Sequence, residues 1–181
     1  MTRSPRMFVV VSGPPASGKS TLAPALAGEL GLPLVAKDTI KDALMSVLPV
    51  LDVDASRQLG RAAVAAMFAV AAESPCGAVI ESNFHRSRAV ADLRRLPSPL
   101  VEVFCRVDRE TARRRYQARA ASRHPGHFDS TRSPDELWNV EVSEPVAGGW
   151  PILEVDTTGP TDIPQLAVQI CELLGQPNVN T

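Results

Sequence analysis

The most regular feature of the chain is a series of short apolar runs without the polar alternation of a half-exposed strand. Aliphatic and β-branched residues dominate each run, and a turn signal or a polar residue ends it. Runs of this kind are typical of strands buried on both faces of a parallel sheet. The pattern predicts five strands, at Met7–Val11, Leu32–Ala36, Gly77–Ile80, Leu100–Val107 and Ile152–Val155.

Apolar residues at helical spacing fill the stretches between these runs. In Gly18–Gly31, Leu22, Leu26 and Leu30 share one face, and the closing glycine is typical of a helix end. Pro24 lies inside this helix, where it favours a local kink. The further predicted helices cover Asp38–Leu48, Ala55–Ala72, Ser87–Leu96, Arg109–Ala121 and Thr161–Leu174.

Strands that alternate with helices predict the α/β class. We expect a three-layer α/β/α fold in which a five-stranded parallel sheet carries helices on both faces. Residues 122–149 are polar, irregular and rich in proline and histidine, which favours a mobile lid over a domain boundary. The predicted organisation is one domain over residues 1–181, with a lid at about 109–149.

Composition narrows the class of protein. Hydrophobic residues make up 44% and charged residues 22%, which is ordinary for a globular chain and excludes a disordered one. The net charge of −1 offers no global positive field for nucleic acid. The longest apolar run, Ala62–Ala72, is too short to span a bilayer, and Met7–Val11 is too short for the core of a signal peptide. Three scattered cysteines predict neither a disulfide frame nor a thiolate metal site, so we expect a cytoplasmic protein.

A complete phosphate-binding motif follows the first predicted strand. Residues 13–20 read Gly-Pro-Pro-Ala-Ser-Gly-Lys-Ser, which fits G-x-x-x-x-G-K-[ST] between a strand and a helix. Such a loop turns successive backbone N–H groups toward a phosphate, and the helix behind it adds the positive end of its dipole. Lys19 is expected to reach the β- and γ-phosphates, and Ser20 to ligate Mg²⁺. The predicted nucleotide-binding residues here are Gly13, Pro14, Pro15, Ala16, Ser17, Gly18, Lys19, Ser20 and Thr21.

The base of the nucleotide and the reaction are separate questions. No Asn-Lys-x-Asp motif for guanine occurs, so ATP with Mg²⁺ is favoured.

All three lysines of the chain, Lys19, Lys37 and Lys41, lie close together in the sequence. An ammonium group is a compact point charge that a guanidinium does not replace. The clustering therefore favours a phosphate site in this part of the chain.

After the second strand, the segment Lys37-Asp38-Thr39-Ile40-Lys41-Asp42 resembles the small P-loop kinases of the zeta-toxin-like, chloramphenicol phosphotransferase-like and polynucleotide kinase-like groups. The resemblance implies that Asp38 contacts the acceptor hydroxyl as its base and that Lys41 helps to hold the substrate. The carboxyl end of a strand beside the phosphate loop is also where open α/β sheets bind ligands. The alternative is that Asp38 caps the next helix.

The end of the third strand supplies further polar residues. In the resembling kinases a carboxylate at this position supports the magnesium shell, which here implies a role for Glu81, directly or through water, or a contact to substrate. Asn83 and Arg86 are predicted acceptor contacts, and His85 and Arg88 are weaker ones. The alternative is that these residues form a solvated start of a helix.

An arginine-rich helix begins the predicted lid. Arg115, Arg119 and Arg123 recur every four residues and therefore share a helical face. In the resembling kinases, lid arginines clamp the transferred phosphoryl group and pack against adenine, which implies catalytic roles for Arg119 and Arg123 and a nucleotide contact for Arg115. Forked guanidinium donors suit the charge of a phosphoryl group. The alternative is that these arginines only form a solvated face of the helix and contact no ligand.

The remaining lid residues allow several interpretations. The segment His124-Pro-Gly-His127-Phe-Asp129 favours a turn or an acceptor contact over a zinc site. Trp138 and Trp150 are expected to anchor the lid to the core. Thr158 lies in a loop that resembles the one bordering adenine, although a plain turn explains it almost as well.

These features predict an ATP-dependent phosphotransferase that acts on a hydroxyl of a small molecule, such as a nucleoside, a sugar derivative or an antibiotic. The alternatives are a polynucleotide 5′-kinase and a nucleotide-binding switch or ATPase without an acceptor; a toxin-type kinase also stays open. We expect neither a membrane nor an obligate protein partner, and the charge disfavours nucleic acid.

Overall fold

A computed structural model describes residues 6–97, 99–120 and 123–175 of the chain. The five predicted strands are present, as β1 (Met7–Ser12), β2 (Leu34–Ala36), β3 (Gly77–Glu81), β4 (Leu100–Arg106) and β5 (Ile152–Asp156). They form one sheet in the order β2-β3-β1-β4-β5, and every neighbouring pair is parallel. The predicted five-stranded parallel sheet is therefore confirmed.

Helices connect and cover the strands. They are α1 (Lys19–Leu30), α2 (Lys37–Met45), α3 (Val53–Glu73), α4 (Arg86–Leu93), α5 (Arg109–Ala120), α6 (Pro134–Leu137), α7 (Val140–Ser143) and α8 (Ile163–Leu174). None of the helices in the described ranges is long and apolar enough to cross a membrane.

Two apolar cores lie on the opposite faces of the sheet. Val9 and Val11 of β1 pack on one face with residues of α1 and α8, such as Leu26. Phe8 and Val10 pack on the other face with residues of α3 and α4. Because successive strand residues point to opposite faces, a continuous apolar strand such as β1 needs a helical layer on each side. The three-layer architecture follows from this pattern.

Two predicted boundaries after α1 were wrong. The second strand begins at Leu34, because the backbone N–H of Leu32 donates to the carbonyl of Ala27 and belongs to the end of α1. The helix predicted to reach Leu48 ends at Met45. Beyond it, Val47 is 76% exposed, so the apolar run at this point does not mark a buried helical face.

The predicted lid contains short helical elements rather than irregular chain. Pro125–His127 and Asp129–Thr131 form 3₁₀ turns, and α6 and α7 follow them. The arginine-rich helix is predicted to end at Ala121 and the irregular segment to begin at Ser122. Both residues lie outside the described residues.

The closing helix begins at Ile163 instead of Thr161, because the Asp162 carboxylate caps it by accepting the N–H of Gln165.

A buried carboxylate ties the end of the lid to the sheet. Glu102, in the middle of β4, is fully buried. Its Oε1 accepts the Ser12 hydroxyl at 2.6 Å and the N–H of Val146 at 2.8 Å, and its Oε2 accepts the N–H of Ala147 and the indole N–H of Trp150, both at 3.1 Å. Trp150 thus anchors the segment after the lid to the core. Ser12 directly precedes the phosphate-loop motif, so Glu102 also fixes the start of that loop.

The sheet order decides where polar residues gather. The connection from β1 leads to β2 on one side, whereas β4 lies beside β1 on the other. Such a change of direction opens a crevice at the carboxyl ends of parallel strands, where ligands bind in folds of this type. The residues that follow β1, β2 and β3 therefore meet at one edge.

Candidate functional site

The loop between β1 and α1 has a backbone that requires glycine at two points. Gly13 has a φ of +134°, and a Cβ atom there would lie 2.7 Å from the carbonyl oxygen of Cys105. Gly18 has a φ of +90°, and its Cβ would lie 3.2 Å from Thr157. The loop therefore packs closely against the ends of β4 and β5, and α1 begins directly after Gly18. This geometry presents a helix N-terminus, which favours anions.

Lys19 is buried inside this loop. Its Nζ donates hydrogen bonds to the carbonyl oxygens of Gly13 at 2.9 Å and Pro14 at 2.7 Å. Burial lowers the pKa of Lys19, whereas the charge of Glu81 opposes that shift. The ammonium group is thus held at the centre of the loop by carbonyls that do not neutralise its charge.

A cavity of about 630 Å³ opens over the loop and the first turn of α1. We call it the loop cavity. On its far side, the Arg115 guanidinium donates to the carbonyls of Thr157 at 3.0 Å and Thr158 at 2.9 Å. The loop cavity is lined by Ala16, Ser17, Gly18, Lys19, Ser20, Thr21, Leu22, Ala25, Arg115, Arg119, Thr157, Thr158, Gly159, Pro160, Thr161 and Ile163. Most of the predicted nucleotide-binding residues therefore surround one space.

A second cavity of about 310 Å³, which we call the side cleft, adjoins the same loop. It lies against α1, α2 and the end of β3. The side cleft is lined by Ser20, Ala23, Pro24, Leu34, Ala36, Asp38, Thr39, Asp42, Glu81, Arg119 and Arg123. Ser20 and Arg119 line both cavities, so the two spaces meet at these side chains.

Asp38 lies in the side cleft in contact with two cations. Lys37 Nζ donates to its Oδ1 at 2.8 Å, and Arg123 Nη2 donates to its Oδ2 at 2.7 Å. Burial alone would raise the pKa of Asp38, but the charges of Lys37 and Arg123 outweigh it and hold this pKa well below its ordinary value. Asp38 is therefore a carboxylate at any physiological pH. Ala36 occupies the N-cap position of α2 and Asp38 lies inside the first turn, so the alternative that Asp38 caps this helix is wrong.

A hydrogen-bonded group of lid residues surrounds Arg123. Its Nη1 donates to both carboxylate oxygens of Asp129, at 3.0 and 2.9 Å, and its Nη2 lies 3.0 Å from Nδ1 of His127. Nε2 of His127 in turn lies 2.6 Å from Oδ1 of Asp42 on α2. These contacts hold the turn at 125–127 against the side cleft.

Arg119 is placed by an aromatic residue of its own helix. Its guanidinium carbon lies 5.1 Å from the ring centroid of Tyr116, and the Tyr116 hydroxyl donates to Oδ1 of Asp129 at 2.9 Å. Burial and the charge of Arg123 lower the pKa of Arg119. Tyr116 also packs edge-on against Trp138, whose indole N–H donates to the carbonyl of Pro15 at 3.2 Å. The lid is thus fastened to the phosphate-loop motif itself.

Some predicted acceptor residues lie elsewhere. Lys41 is buried and donates to the Ser56 hydroxyl at 2.7 Å, and this hydroxyl donates to the carbonyl of Gly126 at 2.6 Å. Lys41 thus connects α2, α3 and the lid turn, and it lines neither the loop cavity nor the side cleft. Asn83 and Arg86 do not line them either.

The sequence analysis did not identify several residues that line the site or hold its elements in place. Asp42 lies one helical turn beyond Asp38 on α2, and this spacing was readable from the sequence. The partnership of Ser56 with Lys41 and the burial of Glu102 in β4 left no local signal, because their partners lie far away along the chain.

The oxygen donors present fit a magnesium ion bound together with phosphate. Mg²⁺ usually takes one or two protein oxygens and completes its shell with phosphate and water. Ser20 lines both cavities, and Glu81 lines the side cleft with a pKa that burial raises and the charge of Lys19 lowers in part. Across the described ranges, no group of three or more His, Cys, Asp and Glu side chains could hold a metal ion by itself. His124, which a zinc site in residues 124–129 would use as a ligand, accepts the backbone N–H of Gly126 through Nδ1.

Comparisons with known proteins agree with this geometry. Residues 8–139 match the model of a family described as AAA domain. A candidate kinase from Chloroflexus aurantiacus is 32% identical, with a TM-score of 0.84 over 93% of this chain and 98% of that chain. A gluconokinase from Sinorhizobium meliloti is 22% identical, with a TM-score of 0.59 over 96% of this chain and 93% of that chain. Chaetomium thermophilum Kti12 in complex with ADP-AlF3 is 19% identical, with a TM-score of 0.62 over 92% of this chain and 98% of that chain.

At 22% and 19% identity, the likeness to the last two structures shows the fold alone. No curated protein matches the sequence. The comparisons therefore show a P-loop kinase-like fold and do not extend to a substrate.

Proposed function

The chain belongs to the AAA domain family, and on that premise we propose that it is an ATP-dependent phosphotransferase. It transfers the γ-phosphate to a hydroxyl of a small molecule, such as a sugar derivative, a nucleoside or an antibiotic. Its free thiols Cys76, Cys105 and Cys171 suit the reducing cytoplasm.

One observation supports this reaction more than any other: the loop cavity and the side cleft meet at Ser20 and Arg119. A transferase for phosphoryl groups must hold its donor and its acceptor in line on two sides of the transferred group. The loop cavity has room for a nucleotide, and the smaller side cleft has room for a compact acceptor. The size of the side cleft favours a small molecule over a polynucleotide.

The phosphate loop holds the donor in this proposal. Its backbone N–H groups and the N-terminus of α1 face the phosphates, and Lys19 exchanges its contacts with Gly13 and Pro14 for phosphate oxygens. Ser20 and, through water, Glu81 would hold Mg²⁺, which neutralises charge on the phosphates when bound. Arg115 and Thr158 border the adenine. The structure of Kti12 with ADP-AlF3 shows that this fold accommodates an adenine nucleotide in that protein.

Asp38 orients the acceptor in this proposal. The acceptor oxygen forms a bond to the γ-phosphorus while the bond from that phosphorus to the β–γ bridging oxygen breaks, and ADP leaves with the electron pair. The hydroxyl proton passes to the Asp38 carboxylate. Because the pKa of Asp38 is low, the carboxylate is a weak base whose main task is to align the hydroxyl. A loose phosphoryl-transfer transition state needs little proton removal at the start.

Arg119 stabilises the transferred group. It lines both cavities and is partly buried against Tyr116, so its charge acts where solvent screens it little. Arg123 holds Asp38 in its position through their ion pair. The resemblance of residues 37–42 to zeta-toxin-like and related phosphotransferases supports the same assignment of Asp38.

The test is a screen of hydroxyl compounds with ATP labelled at the γ-phosphate. The proposal predicts that label moves into an organic phosphate with the wild-type protein, and that Lys19→Ala and Asp38→Asn abolish this transfer. Asp38→Asn should still bind ATP, since Asp38 does not line the loop cavity. Arg113→Ala, an exposed change on α5, is the matched control for lid variants.

The competing functions give different results. A switch or ATPase without an acceptor predicts ATP hydrolysis that no hydroxyl compound changes and that Asp38→Asn leaves intact. A polynucleotide kinase predicts substrate affinity that falls steeply with added salt.

A further inference from the structure

The far end of the side cleft carries a carboxylate whose charge has no cationic partner among residues 6–97, 99–120 and 123–175. Asp42 lies one turn beyond Asp38 on α2, and both line the side cleft. Oδ1 of Asp42 lies 2.6 Å from Nε2 of His127. Its Oδ2 makes no hydrogen bond within the ranges just given, and the side chain is 54% exposed. One carboxylate oxygen is thus available to a ligand.

The partner of Asp42 is a neutral imidazole. Arg123 Nη2 lies 3.0 Å from Nδ1 and 3.4 Å from Nε2 of His127, so the guanidinium lies against the ring. The Asp42 carboxylate can only accept, so the proton of the neutral ring sits on Nε2 and is donated to Asp42. Burial and the charge of Arg123 lower the pKa of His127, which keeps the ring in this form at neutral pH. The hydrogen bond orients Asp42 without cancelling its charge.

The basic side chains nearby are engaged with other groups. Arg123 donates through Nη1 to Asp129 and through Nη2 to Asp38. Arg119 lies where the side cleft meets the loop cavity, close to the position of the transferred phosphate. The Lys41 ammonium donates to the hydroxyl of Ser56 on α3. An acidic acceptor would therefore place its carboxylate against Asp42, whereas an acceptor with a cationic donor would gain a contact there.

We propose that Asp42 binds an ammonium group of the acceptor, so that the compound phosphorylated is a small amino alcohol or amino sugar. This inference rests on the proposed function, because it assigns the reacting hydroxyl to Asp38. The Cβ atoms at positions i and i+4 of a helix lie about 5–6 Å apart. The acceptor should therefore carry its hydroxyl and its amine at a similar separation. The volume of the side cleft, about 310 Å³, suits a molecule of one ring.

A matched series of rigid compounds tests this assignment. trans-4-Aminocyclohexanol, trans-cyclohexane-1,4-diol and trans-4-hydroxycyclohexanecarboxylate share one ring and differ in charge at the far group. Their binding is measured by ligand-detected NMR titration with Mg²⁺ and a non-hydrolysable ATP analogue present. We expect the amine to bind about tenfold more tightly than the diol, and the acid to bind most weakly. trans-2-Aminocyclohexanol, with its short separation, should bind no better than the diol.

Two variants separate recognition from general effects of charge. Asp42→Asn keeps an oxygen for His127 but removes the negative charge, and it should abolish the preference for the amine over the diol. Asp54→Asn changes the charge of an exposed residue at the start of α3 and should keep the preference. Similar affinities of the wild-type protein for amine and diol, or an Asp42→Asn variant that retains the preference, would overturn the proposal.

The nucleotide analogue distinguishes failure of this inference from failure of the proposed function. If the analogue binds and the amine is not preferred, or does not bind, the assignment of Asp42 is wrong and the phosphotransferase proposal stands. If the analogue itself does not bind, the proposed function fails and this inference fails with it.

Discussion

Replacing Glu102 by alanine should destabilise the protein strongly. The carboxylate is fully buried in the middle of β4 and accepts four hydrogen bonds, from Ser12, Val146, Ala147 and Trp150. Ser12 and Val146 are themselves buried, so without Glu102 their O–H and N–H groups cannot turn to water. Ala147 is exposed and can bond to water instead.

The magnitude follows from the groups left without partners. Each buried donor that loses its acceptor costs about 1–3 kcal/mol, and the space left by the side chain adds to this. We therefore expect Glu102→Ala to lower the free energy of unfolding by about 3–5 kcal/mol. For a domain of this size each kcal/mol lowers Tm by about 2–4 °C, so Tm should fall by about 6–20 °C.

Thermal unfolding followed by circular dichroism is the assay, and Glu154→Ala on the neighbouring strand β5 is its control. Glu154 forms an exposed ion pair with Arg106, which is worth at most about 1 kcal/mol. Hydrogen exchange should show faster exchange of the Val146 amide in Glu102→Ala. If Glu102→Ala melts as Glu154→Ala does, the carboxylate does not anchor the lid and the reasoning is refuted.

Three further predictions concern the lid. Arg119→Ala should lower kcat for phosphoryl transfer by about a hundredfold, and Arg113→Ala should leave it unchanged; equal rates for both variants would contradict the role of Arg119. The pKa of His127 lies below its ordinary value of 6.5, so the unfolded chain binds more protons in that range and stability should fall as pH drops from about 7 to about 5. Urea unfolding at several pH values should show this loss reduced in His127→Gln, and an unchanged slope would refute it. Ser56→Ala removes the hydroxyl that accepts from buried Lys41, and should lower the free energy of unfolding in urea by about 1–3 kcal/mol; a loss under about 0.5 kcal/mol would count against that contact.

The sheet was readable from the sequence because its signals are local. A run such as Met7–Val11 is apolar on both faces, and the motif that follows it occupies the turn that its glycines predict. Arg115 and Thr158 were both predicted near adenine, and in the structure both line the loop cavity and are joined by a hydrogen bond.

The remaining contacts depend on residues far apart in the sequence. Lys41 matches the spacing of a substrate contact, yet its ammonium meets Ser56 on α3, and Ser56 meets the turn at Gly126. Neither partner carries a pattern that identifies Lys41 as a structural residue. Arg123 was predicted as a lid arginine, but its ion pair with Asp38 brings together two predicted catalytic groups that no spacing could relate.

The central claim is that the loop around Lys19 binds the phosphates of ATP. Calorimetric titration with Mg²⁺ and a non-hydrolysable ATP analogue tests it most directly. The account predicts saturation at one nucleotide per chain, and an affinity at least about tenfold lower in Lys19→Ala, because buried contacts to a charged group are lost. Arg61→Ala on the exposed face of α3 should bind as the wild type does. No heat of binding, or equal affinity of the wild-type and Lys19→Ala proteins, would contradict the claim.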